Sequence, residues 1–260
     1  MTTSIVPASH AARPGAGGFS WGFLLLELRR MLRNRRTVIF ALVMPVVFFV
    51  IFGAQNSSRN ETYGSANVTA YVMVSMAVYG AMLATTSGGA MVAVERAAGW
   101  VRQLRLTPLR PAAYVATKVA GAMVLGLCSV VVVFVAGAVT GAHLTTAAWV
   151  GCFLIAWLTS VVFAAFGLFM GYVLPSENVM QILGPVLALL SFAGGLFMPL
   201  HGWFETVSKV FPTNGVATLA RLPLGDTGAG SAALAVLNIA VWASVFALGA
   251  AVLFRRDTAR

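Results

Sequence analysis

The sequence has 260 residues, of which 17 are Lys or Arg and 7 are Asp or Glu, so its formal net charge is +10 and only 9% of its residues are charged. Hydrophobic residues make up 59% of the chain, whereas a typical soluble domain has about 25% charged residues. This composition excludes a soluble enzyme, a disulfide-rich scaffold and a disordered protein, because none of these could keep so much apolar surface in water.

Five uncharged runs predict the membrane crossings, and they cover residues 37–58, 62–94, 119–176, 178–204 and 227–254. About 20 consecutive apolar residues cross a bilayer, so four runs hold one crossing each and the third run holds two. We therefore expect an all-α polytopic membrane protein with six transmembrane helices, at about 38–54, 68–92, 112–139, 145–173, 179–199 and 232–254. None of these crossings has a charge at its centre, which argues against an ion- or proton-coupled transporter.

The placement of the cations predicts the orientation of the chain. If the N-terminus is cytoplasmic, only Arg59, Lys209 and Arg221 lie outside, and the other 14 cations lie inside. Both termini are then cytoplasmic, in a multi-pass protein of the cytoplasmic (inner) cell membrane. Because the excess charge lies at the inner membrane surface, we expect lipid headgroups and no nucleic acid as its partners.

The domain organisation follows from the same pattern. We expect residues 1–18 to be a disordered cytoplasmic tail, 19–256 a single transmembrane domain and 257–260 a second cytoplasmic tail. The first 36 residues are too charged for the apolar core of a cleaved secretory signal.

Nothing in the sequence predicts catalysis or metal binding by this chain. It has no G-x-x-x-x-G-K-[ST] motif, so no phosphate-binding loop is expected. Cys128 and Cys152 fall inside predicted crossings, and the three histidines are scattered along the chain. We therefore expect no metal site, no bound cofactor and no enzymatic activity, and the energy for any work would come from a partner.

Residues 19–36 are predicted to form an amphipathic helix before the first crossing. Its apolar side consists of Trp21, Leu24, Leu25, Leu28, Met31 and Leu32. Glu27, Arg29, Arg30 and Arg33 lie on the other side, where the arginines would face anionic headgroups in the inner interface. A generic positively charged anchor and a dedicated structural elbow explain this pattern equally well.

The inside segment 95–111 has a helical period of its own. Ala97, Trp100, Val101 and Leu104 share one face. Glu95, Arg102 and Arg105 lie opposite, and prolines at 108 and 111 end the helix. The pattern favours a short amphipathic helix that rests its Trp face on the bundle and offers its basic face to a cytoplasmic partner. A loop that only satisfies the inside charge rule is the alternative.

The outer stretch 200–225 is apolar but too short and too polar to cross the membrane. Its apolar stripe consists of Trp203, Phe204, Val207, Val210 and Phe211. Glu205 and Lys209 form an i, i+4 pair on the opposite side, and Pro212 ends this helix. A hydrophobic outer lid or a half-penetrating hairpin fits this pattern, and so does an aromatic belt at the outer interface.

Two segments resemble the type-2 exporter permeases of the ATP-binding cassette superfamily, in their drug- and antibiotic-resistance branch. The first segment, ERAAGWVRQLRLTPLRPAAYVATKVAG, is similar to the cytoplasmic signature of that family at Glu95, Arg96, Gly99, Leu104, Pro108 and Lys118. The second, FGLFMGYVLPSENV followed by GGLFMPLHGWFETVSKVFPTNGVATLAR, is similar to its fifth crossing and outer hairpin at Gly195, Phe197, Pro199, Trp203, Pro212 and Arg221.

The resemblance implies a six-helix permease subunit that works as a homodimer or beside a sister permease. It also implies two copies of a separate cytoplasmic ATPase, which would bind the ATP and Mg²⁺. Residues 95–106 would be the coupling helix that docks in the ATPase, and residues 19–36 the connecting helix beside it. Substrate would pass between the second and fifth crossings and leave past a re-entrant outer hairpin between the fifth and sixth.

The same resemblance assigns candidate residues to three places. The ATPase-coupling residues are Glu95, Arg96, Gly99, Trp100, Arg102, Leu104 and Arg105. The interfacial-helix residues are Trp21, Arg29, Arg30 and Arg33. The outer hairpin or gate consists of Gly194, Gly195, Phe197, Pro199, Trp203, Phe204, Glu205 and Pro212.

Three functions are compatible with these assignments. The first is ATP-driven export of an amphipathic drug, antibiotic or lipid-like compound. Export of a polysaccharide or a lipid-linked glycan by the same architecture is the second. The third is a membrane sensor or assembly subunit that transports nothing, which would not need an aromatic, Gly-rich fifth crossing and an outer lid.

Overall fold

The structure, a computed structural model, describes residues 21–54, 62–63, 66–99, 111–198, 200–225 and 229–259. The expected N-terminal tail, 1–18, and most of the expected docking segment, 100–110, lie outside the described residues.

The described part of the chain is almost entirely helical. In chain order the helices are α1 (Trp21–Arg33), α2 (Arg35–Phe49), α3 (Val68–Ala97), α4 (Pro111–Thr140), α5 (Thr146–Thr159), α6 (Val161–Val173), α7 (Val179–Ala193), α8 (Trp203–Ser208), α9 (Pro212–Arg221) and α10 (Ala229–Ala259). A π-helical turn, Val50–Ala54, continues α2, and a 3-10 turn, Leu222–Leu224, continues α9. Two short strands, β1 (Thr62–Tyr63) and β2 (Ala66–Asn67), pair antiparallel before α3.

Helix α3 is the centre of the bundle. It packs against α2, α4, α5, α6, α7 and α9, and 83% of its most apolar stretch is buried. Asn67 caps its start, because the side chain accepts a hydrogen bond from the Ala70 amide at 3.0 Å. The same side chain donates to the Gly141 carbonyl and accepts from the His143 amide. One asparagine thus joins the start of α3 to the turn after α4.

Helices α3 and α6 cross with their backbones almost in contact. A Cβ at Gly167 would overlap the carbonyl of Thr86, so only glycine permits this distance. The Thr86 hydroxyl donates to the Phe163 carbonyl at 3.3 Å, and the Thr85 hydroxyl donates to the Ser160 carbonyl at 3.2 Å. The fourth crossing, expected as one helix over 145–173, is interrupted at Ser160, and Thr85 binds a carbonyl at this break.

Four helical segments are long and apolar enough to cross a membrane, among the residues that the structure describes: Val68–Ala97, Ala112–Thr140, Thr146–Val173 and Gly230–Arg256. The count is five if Trp21–Arg33 and Val38–Gly53, whose axes differ by 63°, are taken together as one broken span. Helix α7 is apolar but has only 15 residues, about 22 Å. The structure therefore accounts for four or five crossings by length, whereas six are expected from the sequence.

One predicted boundary needs correction. The fifth crossing was expected to reach residue 199, but α7 ends at Ala193 because Gly195 adopts φ +70° and turns the chain. Helix α10 continues to Ala259 and so includes most of the tail expected at 257–260. No proline or glycine lies in the last turn of α10, so nothing in the sequence stops the helix there.

Candidate functional site

Five residues from three helices form a cluster at one end of the bundle, and all of them except the partly exposed Arg30 are buried. We call Glu27 and Arg30 of α1, Glu95 of α3, and Tyr114 and Lys118 of α4 the inner ion cluster. The Lys118 ammonium lies 2.6 Å from the Glu27 carboxylate and also forms an ion pair with Glu95. The Arg30 guanidinium lies 2.8 Å from the Glu95 carboxylate, whose other oxygen accepts a hydrogen bond from the Tyr114 hydroxyl.

The charges of the inner ion cluster balance, since it holds two carboxylates and two cations. The side chains of Lys118, Glu95 and Glu27 are only 1%, 0% and 5% exposed. An isolated charge buried in this way is very costly, whereas a paired and hydrogen-bonded one is tolerated. The cluster therefore stabilises the packing of α1, α3 and α4. Separating these helices would leave a buried charge unpaired in apolar surroundings.

This position corrects two expectations from the sequence. Glu95 was expected on the exposed face of a docking helix, and Glu27 on the headgroup side of the interfacial helix. Both are buried, because α3 continues through Glu95 to Ala97 and both carboxylates turn toward Lys118. Lys118 was the available signal, because a lysine near the start of an apolar crossing requires an acidic partner. Glu27 and Glu95 are two of the four acidic residues expected on its side of the membrane, the others being Glu177 and Asp257.

Arg96 joins the same end of α3 to a different neighbour. Its guanidinium donates to the carbonyls of Gly171 and Tyr172 at 3.2 and 3.1 Å, which are among the last carbonyls of α6. It also lies 5.3 Å from the centre of the Tyr172 ring. Two consecutive residues, Glu95 and Arg96, thus connect the end of α3 to α1, α4 and α6.

Helix α3 stops immediately after this junction. Gly99 adopts φ +71°, and its amide donates to the Arg96 carbonyl at 3.0 Å. The other candidate coupling residues, Trp100, Arg102, Leu104 and Arg105, lie outside the described residues. The segment that carries them is therefore tethered at Gly99 on α3 and at the start of α4, and both tethers lead to the inner ion cluster.

The opposite end of the bundle carries the second group of candidate residues. We call residues 194–225, which include α8 and α9, the outer hairpin. Arg221 donates to the carbonyls of Gly195 and Leu196 at 3.3 and 2.8 Å and to the Ser75 hydroxyl at 2.6 Å. Its guanidinium lies 4.2 Å from the centre of the Tyr71 ring. Arg221 therefore holds the turn after α7 against α3.

The outer hairpin contacts the long helices α3 and α10 some distance inward from their ends. Asn238 donates to the Lys209 carbonyl at 2.8 Å, and the Trp242 indole donates to the Val210 carbonyl at 2.7 Å. Asn238 is about 14 Å along α10 from its first residue, and Ser75 is about 10 Å along α3. The charge of Arg221 therefore also lies inward from the helix ends. The sequence predicted only that the crossings have no charge at their centres, and Arg221 is not part of a predicted crossing.

The candidate gate residues divide into packed and exposed ones. Phe197 contacts the rings of Tyr79 and Phe192, with centroids 5.0 and 4.7 Å apart. A side chain at Gly194 would overlap Thr213, and Pro212 is buried as the first residue of α9. Pro199 lies outside the described residues.

The first turn of α8 is exposed. Trp203 and Phe204 stack at 4.0 Å and are 67% and 56% exposed, and Glu205 lies 3.1 Å from Lys209 on the surface. The expected apolar stripe is thus largely exposed. Asn238 and Trp242 bind the hairpin, but the sequence did not identify them as its contacts. They differed from their neighbours only as polar groups in an apolar helix.

Comparisons with known proteins agree with this architecture. A family model described as "ABC-2 type transporter" matches residues 22–219, which is more than half of the chain. The chain is also 29% identical over 180 residues to the putative transport permease YvfS of Bacillus subtilis (strain 168), an alignment that covers 68% of this chain and 72% of that protein. The matched range contains the inner ion cluster and most of the outer hairpin. The chain belongs to the ABC-2 type transporter family and is a multi-pass membrane transport permease.

Proposed function

We propose that this permease is the membrane-spanning subunit of an ATP-driven exporter in the cell membrane. Membership of the ABC-2 family implies an ATP-binding cassette ATPase as its partner. In our proposal, two ATPase copies supply the ATP and Mg²⁺ site, and the substrate is an amphipathic drug, antibiotic or lipid-like compound that leaves the cell.

The observation that carries this proposal is the junction at the inner end of α3. A partner that moves the segment 100–110 pulls on α3 through Gly99 and on α4 through Pro111. Because Glu95 and Lys118 tie these two helices to each other and to α1, and Arg96 ties α3 to α6, such a pull reaches four helices at once. Coupling between distant sites requires this kind of contiguous, rigid connection.

The substrate path is proposed between α3 and α7, the second and fifth of six crossings. Its wall has no charge at the contact of Phe48, Tyr79, Phe192 and Phe197, and Phe192 is 52% exposed. Apolar aromatic walls accept many amphipathic compounds, since such contacts depend on area more than on hydrogen-bond geometry. A second permease, identical or a sister subunit, would complete the path from the other side, with both termini of each subunit in the cytoplasm.

Co-purification with an ATP-binding cassette ATPase from the same organism tests the proposal. We expect a stable complex whose ATP hydrolysis rises when drugs or lipid-like compounds are added in nanodiscs. The double substitution W100A/R102A should abolish this stimulation without changing the melting temperature of the permease. The variant R255A/R256A removes two exposed cations from the same side of the membrane and should leave the stimulation unchanged.

Other outcomes would reject parts of the proposal. Normal stimulation in W100A/R102A would reject segment 100–110 as the coupling element. Stimulation by lipid-linked glycans alone would indicate glycan export in place of drug or lipid export. An active ATPase without transport into sealed vesicles would reject transport and favour the sensor or assembly function.

A further inference from the structure

Helix α1 has one edge that packs on the bundle. This edge consists of Leu24, Glu27 and Met31, which are the buried residues of α1. Met31 packs against Gly88 of α3 and Gly121 of α4, and Glu27 binds Lys118. The apolar side expected from the sequence is therefore divided, because part of it faces protein together with a buried carboxylate.

The rest of the apolar side faces away from the protein. Trp21, Leu25 and Leu32 lie along one line of the helix and are 79%, 69% and 54% exposed. Arg29 and Arg33 are exposed about 80° further round, at 100° per residue, and Leu26, which is 65% exposed, is the one apolar residue on their side of the first turns. An apolar line beside a cationic line is the pattern of a helix at the surface of a bilayer, with acyl chains under one line and phosphates beside the other.

The orientation of α1 agrees with this pattern. The axis of α1 is bent by 63° from the crossing helix that follows it. If that crossing is close to the bilayer normal, α1 lies nearer to the membrane plane than to the normal. The exposed apolar residues then continue along the lipid-facing side of α2, where Ile39, Phe40 and Val43 are also exposed.

We propose that α1 binds anionic phospholipids of the inner leaflet through Arg29 and Arg33, and that Arg30 and Glu27 transmit this binding to the inner ion cluster. The arginines of α1 differ in their surroundings. Arg30 is 39% exposed and pairs with Glu95, whereas Arg29 and Arg33 are exposed on the adjoining side of the helix. Anionic lipid therefore favours the position of α1 in which Glu27 and Arg30 hold α3 and α4 together.

This inference has a binding step that is independent of the proposed function and a coupling step that rests on it. The binding step is tested on the purified permease alone. Its melting temperature is measured in neutral detergent micelles titrated with phosphatidylglycerol or with phosphatidylcholine. We expect phosphatidylglycerol to stabilise the protein at lower mole fraction than phosphatidylcholine, and R29Q/R33Q to need about 25-fold more of it, about fivefold for each arginine.

The controls separate lipid from charge and from free phosphate. R255Q/R256Q removes the same charge at the end of α10 and should titrate like the unchanged protein. Inorganic phosphate and soluble glycerol phosphate should not stabilise the protein. Equal stabilisation by phosphatidylcholine, an unchanged titration of R29Q/R33Q, or full stabilisation by soluble phosphate would each overturn the binding step.

The coupling step is tested in nanodiscs that contain the permease and its ATPase. Raising the phosphatidylglycerol fraction should increase substrate-stimulated ATP hydrolysis in the unchanged complex. In R30Q this increase should be lost while phosphatidylglycerol still stabilises the permease, and R30K should restore part of it. A normal response of R30Q to phosphatidylglycerol would overturn the transmitting role of Arg30. A complex that never hydrolyses ATP would reject the proposed function and leave the binding result in place.

Discussion

Lys118 and Glu95 form an ion pair in which both side chains are almost completely buried, with 1% and 0% of their surfaces exposed. Lys118 comes from the second turn of α4 and Glu95 from the last turn of α3. The chain between the two helices contains the segment proposed to dock the ATPase. The ion pair therefore holds together the two ends of the loop on which the ATPase would act.

We expect K118M to destabilise the permease by about 3–5 kcal/mol, because it leaves two buried carboxylates with too little positive charge. The triple variant E27Q/E95Q/K118M should recover part of this loss, since it removes the three buried charges together and leaves only Arg30, which is 39% exposed. Thermal unfolding in detergent measures both effects. K209M is the matched control: it breaks the exposed pair with Glu205 and should cost less than about 1 kcal/mol. Equal losses in K118M and K209M would contradict the buried position of Lys118.

We expect G167A to loosen the crossing of α3 and α6, because the added methyl group overlaps the Thr86 carbonyl. The cost should be about 1–3 kcal/mol, typical of overpacking in a filled core. The control is G230A near the start of α10, where no other part of the described structure lies within 4 Å of the new methyl group. G230A should be neutral or slightly stabilising, since alanine is the better helix former. Melting temperatures of the two variants decide the prediction.

We expect R221M to release the outer hairpin. It removes the donor to the carbonyls of Gly195 and Leu196 and to the Ser75 hydroxyl. Hydrogen exchange followed by mass spectrometry should show faster exchange in residues 194–225, with the inner ends of α3 and α4 unchanged. Exchange that rises equally over the whole bundle would indicate global unfolding and contradict the local role.

We expect N238A and W242F to have a weaker effect on the same hairpin, because each removes one donor to the carbonyls at the end of α8. A net loss of about 1 kcal/mol per hydrogen bond is typical, more if the carbonyl stays buried. S244A on the same helix removes a hydroxyl that binds only its own helix, and it should be neutral. A cysteine placed at Val210 should react faster with a membrane-impermeant thiol reagent in W242F than in S244A.

The pattern of charged and apolar residues was enough to predict the all-α class of fold and the starts of most long helices. It could not show which way Glu95 points, because a carboxylate at the end of a helix fits an exposed surface as well as a buried pair. Nor could it place the end of α7, where the positive φ of Gly195 and the carbonyls held by Arg221 depend on contacts more than 20 residues away in sequence. The helical period predicts a single apolar side for α1. In the structure, part of that side packs on the bundle and the rest is exposed.

Helix α3 is attached at both of its ends. Asn67 fixes its start to the turn between α4 and α5, and Glu95 and Arg96 fix its end to three other helices. A rod held in this way cannot turn about its own axis without breaking contacts at both ends together. We therefore expect a displacement that begins at Gly99 to tilt α3 rather than rotate it, and the contact of Ser75 with Arg221 would carry this tilt into the outer hairpin.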